Sequence, residues 1–131
     1  ETARDARASA GAPALMRSEK VQHRAAKVGF DYPSGAMALD DLASELDELR
    51  EAVAESRRAI DEELGDLLFA AVNVSRFAGI DAEESLNRAC NKFIGRFTNV
   101  EQLAAQRGID MKSSSIEKLD ELWREAKRMN R

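Results

Sequence analysis

The sequence of 131 residues is poor in cysteine, proline and histidine, and it has no long hydrophobic run. Its single cysteine, Cys90, excludes an internal disulfide and is typical of a reducing compartment, so we expect a cytoplasmic protein. No apolar run approaches the roughly 20 residues that span a bilayer. The polar, alanine-rich first dozen residues predict no signal peptide. The chain begins with Glu1 and not with Met, which fits a piece of a longer protein.

The charge balance argues against a nucleic-acid partner. The chain carries 20 Lys and Arg against 24 Asp and Glu, a net charge of −4, whereas nucleic-acid binding usually requires a basic face. The 44% of hydrophobic and 34% of charged residues favour a globular, mostly helical domain. We therefore predict an all-α fold, an antiparallel bundle of four to five helices over residues 14–131, after a disordered lead or linker over residues 1–13.

Glycines and apolar spacing divide the chain into five predicted helices. Gly29, Gly79 and Gly108 stop helices, and Asp81 caps the fourth one. The predicted helices span residues 14–27, 36–56, 58–78 and 82–107, and the last begins near residue 115. Core faces are predicted from apolar residues in steps of three and four: Leu39, Leu42, Leu46, Leu49 and Val53; Ile60, Leu64, Leu67, Ala71 and Val74; Leu86, Ala89, Phe93, Phe97, Val100 and Ala104; Ile116, Leu119, Leu122, Trp123 and Ala126.

Two acid pairs stand out on the second and third predicted helices. Glu45 and Glu48 are three residues apart, as are Glu63 and Asp66, so each pair projects from neighbouring turns on one side. The run 67–72 (LLFAAV) predicts that the third helix is buried on most of its circumference. Carboxylates there are costly unless a cation offsets their desolvation. Because a short connection makes the two helices antiparallel neighbours, we expect the four acids to hold Mg²⁺.

Other interpretations stay open for several charged and aromatic positions. Glu45 and Glu48 border the apolar seam, so they face either a cavity between helices or water. Arg88, Lys92 and Arg96 recur every four residues and form either a solvated face or phosphate clamps. Trp123 is either a core residue or a stacking platform for a base.

Other chemistries lack their motifs. The lone His23 has no Glu-x-x-His context, which excludes a di-iron bundle, and it is interpreted as a solvated or packed side chain. The sequence has no Walker-type loop and no Gly-x-Gly-x-x-Gly.

An ordered series of segments resembles the MazG family, the all-α nucleoside triphosphate pyrophosphohydrolases. The likeness covers residues 15 to 128 and is greatest to the catalytic, C-terminal half of a two-domain bacterial MazG. The segments are 28–33 (VGFDYP), 45–49 (ELDEL), 62–69 (EELGDLLF), 72–76 (VNVSR), 87–93 (NRACNKF), 96–97 (RF), 100–101 (VE) and 122–123 (LW).

This resemblance implies conversion of a nucleoside triphosphate and water into the monophosphate and pyrophosphate, as housecleaning of aberrant or excess nucleotides. It implies Mg²⁺, with Mn²⁺ as a substitute, and a homodimer or higher homo-oligomer. The implied metal ligands are Glu45, Glu48, Glu63 and Asp66, with Glu48 and Glu45 as catalytic residues. The implied substrate contacts come from Asn73, Lys92, Arg96 and Trp123, with Arg88 in the same basic stripe.

The sequence departs from the family pattern at a few positions. Ser44 stands where the family motif usually opens with the first member of a Glu doublet, and Tyr32 replaces the Trp often seen in the loop after the first helix. Ala59 and Ile60 stand near where some relatives carry a basic residue. A weakly active or inactive helical dimerisation module is therefore the alternative function. The base and sugar preference stays open.

Overall fold

The computed structural model describes residues 13–129, so the lead expected over residues 1–13 lies outside the described residues except for Pro13. Within residues 13–129 the chain is all helical, as predicted, with no strand. The helices are α1 (Ala14–Lys27), α2 (Gly35–Val53), α3 (Arg57–Phe77), α4 (Ala82–Gln106) and α5 (Ile116–Met129), with a 3₁₀ helix (Met111–Ser113) before α5. None of the helices in this part of the chain is long and apolar enough to cross a membrane.

Short polar side chains cap the helices at their first turns. The Ser34 hydroxyl accepts a hydrogen bond of 3.3 Å from a backbone N–H of α2, and the Ser56 hydroxyl accepts one of 3.1 Å from α3. The carboxylate of Asp81 accepts the corresponding bond of 3.1 Å from α4. The cap predicted at Asp81 is confirmed.

The three glycines predicted to stop helices adopt the left-handed conformation, which glycine enters without the steric cost of a Cβ atom. Their φ angles are 90° at Gly29, 70° at Gly79 and 64° at Gly108. The predicted ends of the first, third and fourth helices therefore agree with the structure to within one residue.

The chain divides into two compact units, Glu1–Ser85 and Leu86–Arg131. The first unit contains α1, α2, α3 and the start of α4, and the second contains the rest of α4 and α5. The expectation that residues 14–131 form one domain stays a prediction.

The first unit is built on an antiparallel hairpin of α2 and α3, with α1 packed on α3. Residues 54–56 join the two long helices. The buried side of α2 carries Ala38 and Ala52, and that of α3 carries Ala70, Val72 and Asn73. Three of these five buried residues are alanines, so small side chains make up much of the buried side of the hairpin.

The predicted apolar faces of α2 and α3 are only partly covered in this chain taken by itself, because Leu42, Leu49 and Leu67 are half-buried whereas other members are exposed. Leu39 is 53% exposed, Leu46 41% and Leu64 44%. Leu68 and Phe69 are exposed as well, so α3 is not buried on most of its circumference. The buried residues of α2 are Ala38 and Ala52, each one position before an exposed apolar residue, so the covered side of the helix is rotated from the predicted face toward the alanines.

The core of the second unit lies where the C-terminal half of α4 packs on α5. Val100, Ala104, Leu122 and Ala126 are buried there, as predicted, and Leu103 joins them. The prediction is wrong for residues 86–97 of α4 and the start of α5, where the expected core residues Leu86, Phe93, Phe97 and Ile116 are exposed.

Candidate metal centre

The position of Glu45 follows from the packing of α2. Ala38, Glu45 and Ala52 are seven residues apart, so they lie on nearly the same side of the helix. Because Ala38 and Ala52 are buried, the glutamate between them is carried toward the helix hairpin seam. Glu63 and Asp66 lie on α3 at a similar distance from the connection 54–56. An antiparallel hairpin therefore brings the two predicted acid pairs to the same level.

Three of the four predicted ligands converge. Glu45, Glu48 and Glu63 each offer one carboxylate oxygen, and these oxygens all lie within 4.8 Å of one another. An octahedral Mg²⁺ holds its oxygens at about 2.1 Å, which places them about 3 to 4 Å apart. Small rotations of the side chains close that difference, so the donor set fits a hard divalent cation.

The electrostatics of the cluster also fit the binding of a cation. The Oε2 atoms of Glu45 and Glu63 are buried and accept no hydrogen bond from residues 13–129. The carboxyl group of Glu48, close enough to share a proton, raises the pKa of Glu45 to about 7, and burial and the charges of Asp66 and Asp41 add to this effect.

The carboxyl group of Glu63 is perturbed in the same direction. Burial first, and then the charges of Glu48 and Asp66, raise its pKa above the ordinary value. Asp66 stands outside the group of three oxygens, yet its charge acts on both Glu45 and Glu63. It therefore lies beside the cluster, as an exposed acid on the next turn of α3.

A hydrogen bond that the sequence analysis missed ties the loop 28–34 to the acid-bearing helix. The hydroxyl of Tyr32 donates to Oδ2 of Asp41 at 2.7 Å, and this bond raises the pKa of Tyr32 to about 12. Asp41 precedes Glu45 by one helical turn. The bond thus fixes the loop next to the candidate metal centre.

Asn73, predicted as a substrate contact, is buried two turns beyond Asp66 on α3. Its Oδ1 accepts a hydrogen bond of 2.8 Å from Arg76. Arg76 also donates two hydrogen bonds, of 3.0 and 2.6 Å, to the carboxylate of Asp31. The side chain of Asn73 is therefore oriented by an ion pair between α3 and the loop.

The remaining predicted contacts lie in the second unit. Arg88 and Lys92 are exposed, and Arg96 is half-buried, with its guanidinium 5.9 Å from the centroid of the Trp123 ring. The ring of Phe93 lies 5.5 Å from the same indole. Trp123 packs against the core of this unit and presents the rest of its ring to Arg96 and Phe93.

The two unassigned residues of the sequence analysis are both on the surface. His23 is exposed and lines a small cavity with Met16, Glu19, Lys20 and Asp81. Cys90 is exposed and free. His23 is thus a solvated side chain, one of the two interpretations given above.

Comparisons with known proteins match the same segment. Residues 34–101, which carry all four acids, match the MazG nucleotide pyrophosphohydrolase domain. The chain is 42% identical over 120 residues to a nucleoside triphosphate pyrophosphohydrolase of Escherichia coli K12. It is 42% identical over 115 residues to the nucleoside triphosphate pyrophosphohydrolase/pyrophosphatase MazG of Thermotoga maritima.

Each match covers most of this chain but less than half of the related protein. Each includes 88% of this chain but only 45% of the Escherichia coli protein and 44% of the Thermotoga maritima protein. The chain thus spans a little less than half the length of these relatives. A further relative, the uncharacterized protein YabN of Bacillus subtilis, is 45% identical over 69 residues, which are 53% of this chain and 14% of that protein.

Proposed function

Because this chain belongs to the MazG nucleotide pyrophosphohydrolase family, we propose that it hydrolyses nucleoside triphosphates to the monophosphate and pyrophosphate. One observation carries the proposal: carboxylate oxygens of Glu45, Glu48 and Glu63 converge within 4.8 Å inside the matched segment. Hard oxygen donors in this arrangement suit Mg²⁺, with Mn²⁺ as a substitute. Asp66, beside the cluster, is the fourth proposed ligand.

The reaction places separate demands on the acids. When bound, a divalent ion supplies positive charge. This charge offsets the negative charge of the triphosphate and favours ionisation of water. Glu48 is assigned as the base that accepts the proton of the water that attacks the α-phosphorus. The carboxyl group of Glu45 is close enough to share a proton with that of Glu48 and supports this transfer. The bond from the α-phosphorus to its bridging oxygen breaks, and pyrophosphate leaves.

The substrate contacts in this proposal come from the family resemblance. Lys92 and Arg96, with Arg88 in the same stripe, are assigned to the phosphates because guanidinium and ammonium groups neutralise phosphate oxygens. Asn73 and Trp123 are assigned to the nucleoside. Housecleaning of aberrant or excess nucleotides in the cytoplasm is the corresponding cellular role.

The test is release of pyrophosphate from a panel of nucleoside triphosphates with and without Mg²⁺. We expect Mg²⁺-dependent release by the wild type, and a loss of kcat/KM of about 100-fold or more in Glu63→Gln and Asp66→Asn, because each removes a ligand charge. Glu51→Gln is the matched control, since Glu51 is an exposed acid of α2 outside the cluster. Normal turnover in Glu63→Gln would refute the metal-centre assignment.

A homodimer or higher homo-oligomer is part of the proposal. Leu39 and Leu46 of α2 and Leu64 and Leu68 of α3 are all exposed, and apolar surface of this kind on a small unit marks an interaction site. The same observation favours the alternative function, an inactive helical dimerisation module. Absence of pyrophosphate release at high protein concentration, from a protein that still dimerises, would favour that alternative.

A further inference from the structure

A carboxylate that the metal chemistry does not use lies one helical turn before the acid cluster. Asp41 precedes Glu45 by four residues and Glu48 by seven, so the three acids lie along the same side of α2. The rise of a helix places Asp41 about 6 Å from Glu45 along the axis. Asp41 is half-buried, and it contributes none of the three oxygens that converge in the cluster. It is therefore next to the candidate metal centre without belonging to it.

The side chain of Asp41 is held in place by the loop 28–34. The hydroxyl of Tyr32 donates the hydrogen bond of 2.7 Å to its Oδ2 atom. This bond first, and then burial and the charges of Asp41 and Glu45, raise the pKa of Tyr32 to about 12. The phenol thus keeps its proton and stays a donor at neutral pH. A carboxylate has about four acceptor positions, of which Tyr32 takes one, so Asp41 presents an oriented acceptor to a further donor.

The pair of Tyr32 and Asp41 lies between the acids and an open space. Tyr32 lines an open cavity of about 450 Å³ between α1, the loop 28–34 and α3. On the other side, the charge of Asp41 acts on Glu45, and the charge of Glu45 acts on Tyr32. A molecule that extends from the acids toward this cavity therefore passes the pair.

The charge of Asp41 determines which part of a nucleoside triphosphate it can contact. A carboxylate repels phosphate oxygens and attracts hydrogen-bond donors. In a substrate whose α-phosphorus lies at the acid cluster, the sugar follows the α-phosphate after one oxygen atom and one carbon atom. The sugar hydroxyls are thus the uncharged donors nearest to the reacting phosphorus. A separation of one helical turn between Asp41 and Glu45 fits this arrangement.

We propose that Asp41, oriented by Tyr32, accepts a hydrogen bond from a hydroxyl group of the substrate's sugar, an inference that rests on the proposed function. Asp41 is then a specificity-determining residue, and Tyr32 is a positioning residue that acts through it. A substrate without the hydroxyl is disfavoured, because its binding removes water from the carboxylate and supplies no donor in exchange. The favoured substrates are therefore nucleotides that keep this hydroxyl.

The test compares substrates that differ only at the sugar. The ribonucleoside triphosphate that the wild type hydrolyses best is assayed beside its 2′-deoxy, 3′-deoxy and 2′,3′-dideoxy analogues. We expect kcat/KM of the wild type to be about 10- to 100-fold lower for the dideoxy analogue, and Asp41→Ala to reduce this ratio to less than about threefold. The two monodeoxy analogues identify the hydroxyl that is bound. A ratio near one in the wild type, or an unchanged ratio in Asp41→Ala, would overturn the proposal.

The ratio between substrates separates a sugar contact from the other effects of Asp41. Loss of its charge also alters Glu45, and loss of its hydrogen bond loosens the loop 28–34, but both changes act on all four substrates alike. Asp40→Ala makes the same chemical change at the adjacent, exposed position of α2 and should keep the ratio of the wild type.

Tyr32→Phe tests the positioning role, since it keeps the ring and removes only the donor. We expect this variant to lower the ratio by about 3- to 10-fold, because Asp41 is no longer oriented. An unchanged ratio would refute the role of Tyr32. This variant also decides the question if Asp41→Ala lacks a cooperative melting transition.

A binding measurement separates this inference from the proposed function. Saturation-transfer NMR of the four common ribonucleoside 5′-monophosphates and their 2′,3′-dideoxy counterparts requires no turnover, and it decides the question if no triphosphate is hydrolysed. A ribonucleotide that the wild type binds at least about tenfold more tightly than its dideoxy counterpart, with equal affinities in Asp41→Ala, would support the sugar contact while the proposed function alone fails. Equal affinities in the wild type, or no binding of any nucleotide, would then overturn the inference.

Discussion

Glu45 is a carboxyl group placed between two buried alanines of α2, within reach of the carboxyl group of Glu48. That neighbour, with burial and the charges of Asp66 and Asp41, makes its proton hard to remove near neutral pH. A cation that binds the cluster must displace this proton. Metal affinity and protonation are therefore coupled at this residue.

We predict that metal affinity weakens steeply below pH 7. The pKa of Glu45 in the metal-free protein is about 7, so at pH 6 only about a tenth of the molecules carry the ionised form, and the apparent affinity falls about tenfold per pH unit. Titration of Mn²⁺ by calorimetry between pH 5.5 and 8 measures this slope. In Glu48→Gln, which removes the largest cause of the shift, the decline should begin at lower pH. A flat profile in the wild type would contradict the assignment.

The raised pKa of Glu45 also predicts how the stability of the metal-free protein depends on pH. A carboxyl group whose folded-state pKa is raised binds more protons when folded, so the free energy of unfolding falls as the pH rises from about 4.5 to about 7. Thermal unfolding with a chelator should give a lower Tm at pH 7.5 than at pH 5.5. Saturating Mg²⁺ should raise the Tm more at pH 7.5 than at pH 5.5. The opposite order in the chelated protein would show that Glu45 ionises normally.

Among the helices, the hairpin of α2 and α3 depends on the start of α3 at Ser56. The Ser56 hydroxyl accepts a hydrogen bond from the backbone N–H of Ala59, and removing the hydroxyl leaves that N–H without a side-chain partner. We predict that Ser56→Ala lowers the free energy of unfolding by about 1 kcal/mol, measured by urea denaturation. Ser56→Asp should retain most of the stability. Ser44→Ala, an exposed mid-helix control, should be neutral within about 0.5 kcal/mol.

The ends of α1, α3 and α4 could be predicted because their causes are local, whereas α2 ends at Val53, three residues before its predicted end at Ser56, which instead caps α3. Asp81 and the stopping glycines act on residues within one turn. The buried side of α2 could not be predicted, because Leu39 and Ala38 are adjacent and only the partner helix decides which is covered, whereas the core residues Val100, Ala104, Leu122 and Ala126 of the second unit were predicted. The acid cluster was predictable from spacing and a short connection. The bond from Arg76 to Asp31 joins residues 45 positions apart, so no periodic pattern indicates it.

Gln22 was missed for a related reason. It is a polar residue of α1, whose few apolar residues include Val21 and Ala25, and amphipathic spacing assigns such a residue to water. In the structure it is buried against α3, where its amide bonds the carbonyl of Phe69. A glutamine interrupting a sparse apolar face was the one available signal.

For the complete chain, the exposed leucines predict self-association through the hairpin. We expect Leu68→Glu to weaken the homodimer by more than about 100-fold, because each of two copies loses about 1.5–3 kcal/mol of apolar burial and gains a charge. Sedimentation equilibrium measures the change. Ile116→Glu alters a residue of α5 that is even more exposed than Leu68 and should leave the association unchanged. Equal dimerisation of both variants would place the interface elsewhere.

The connection of only three residues between α2 and α3 also bears on biosynthesis. The three converging glutamates lie within a single uninterrupted stretch of fewer than twenty residues, and the helices that carry them end at Phe77. Contacts so close along the chain form quickly and do not wait for distant segments. The clustered acids can thus come together while α4 and α5 are still being translated, before the second unit exists.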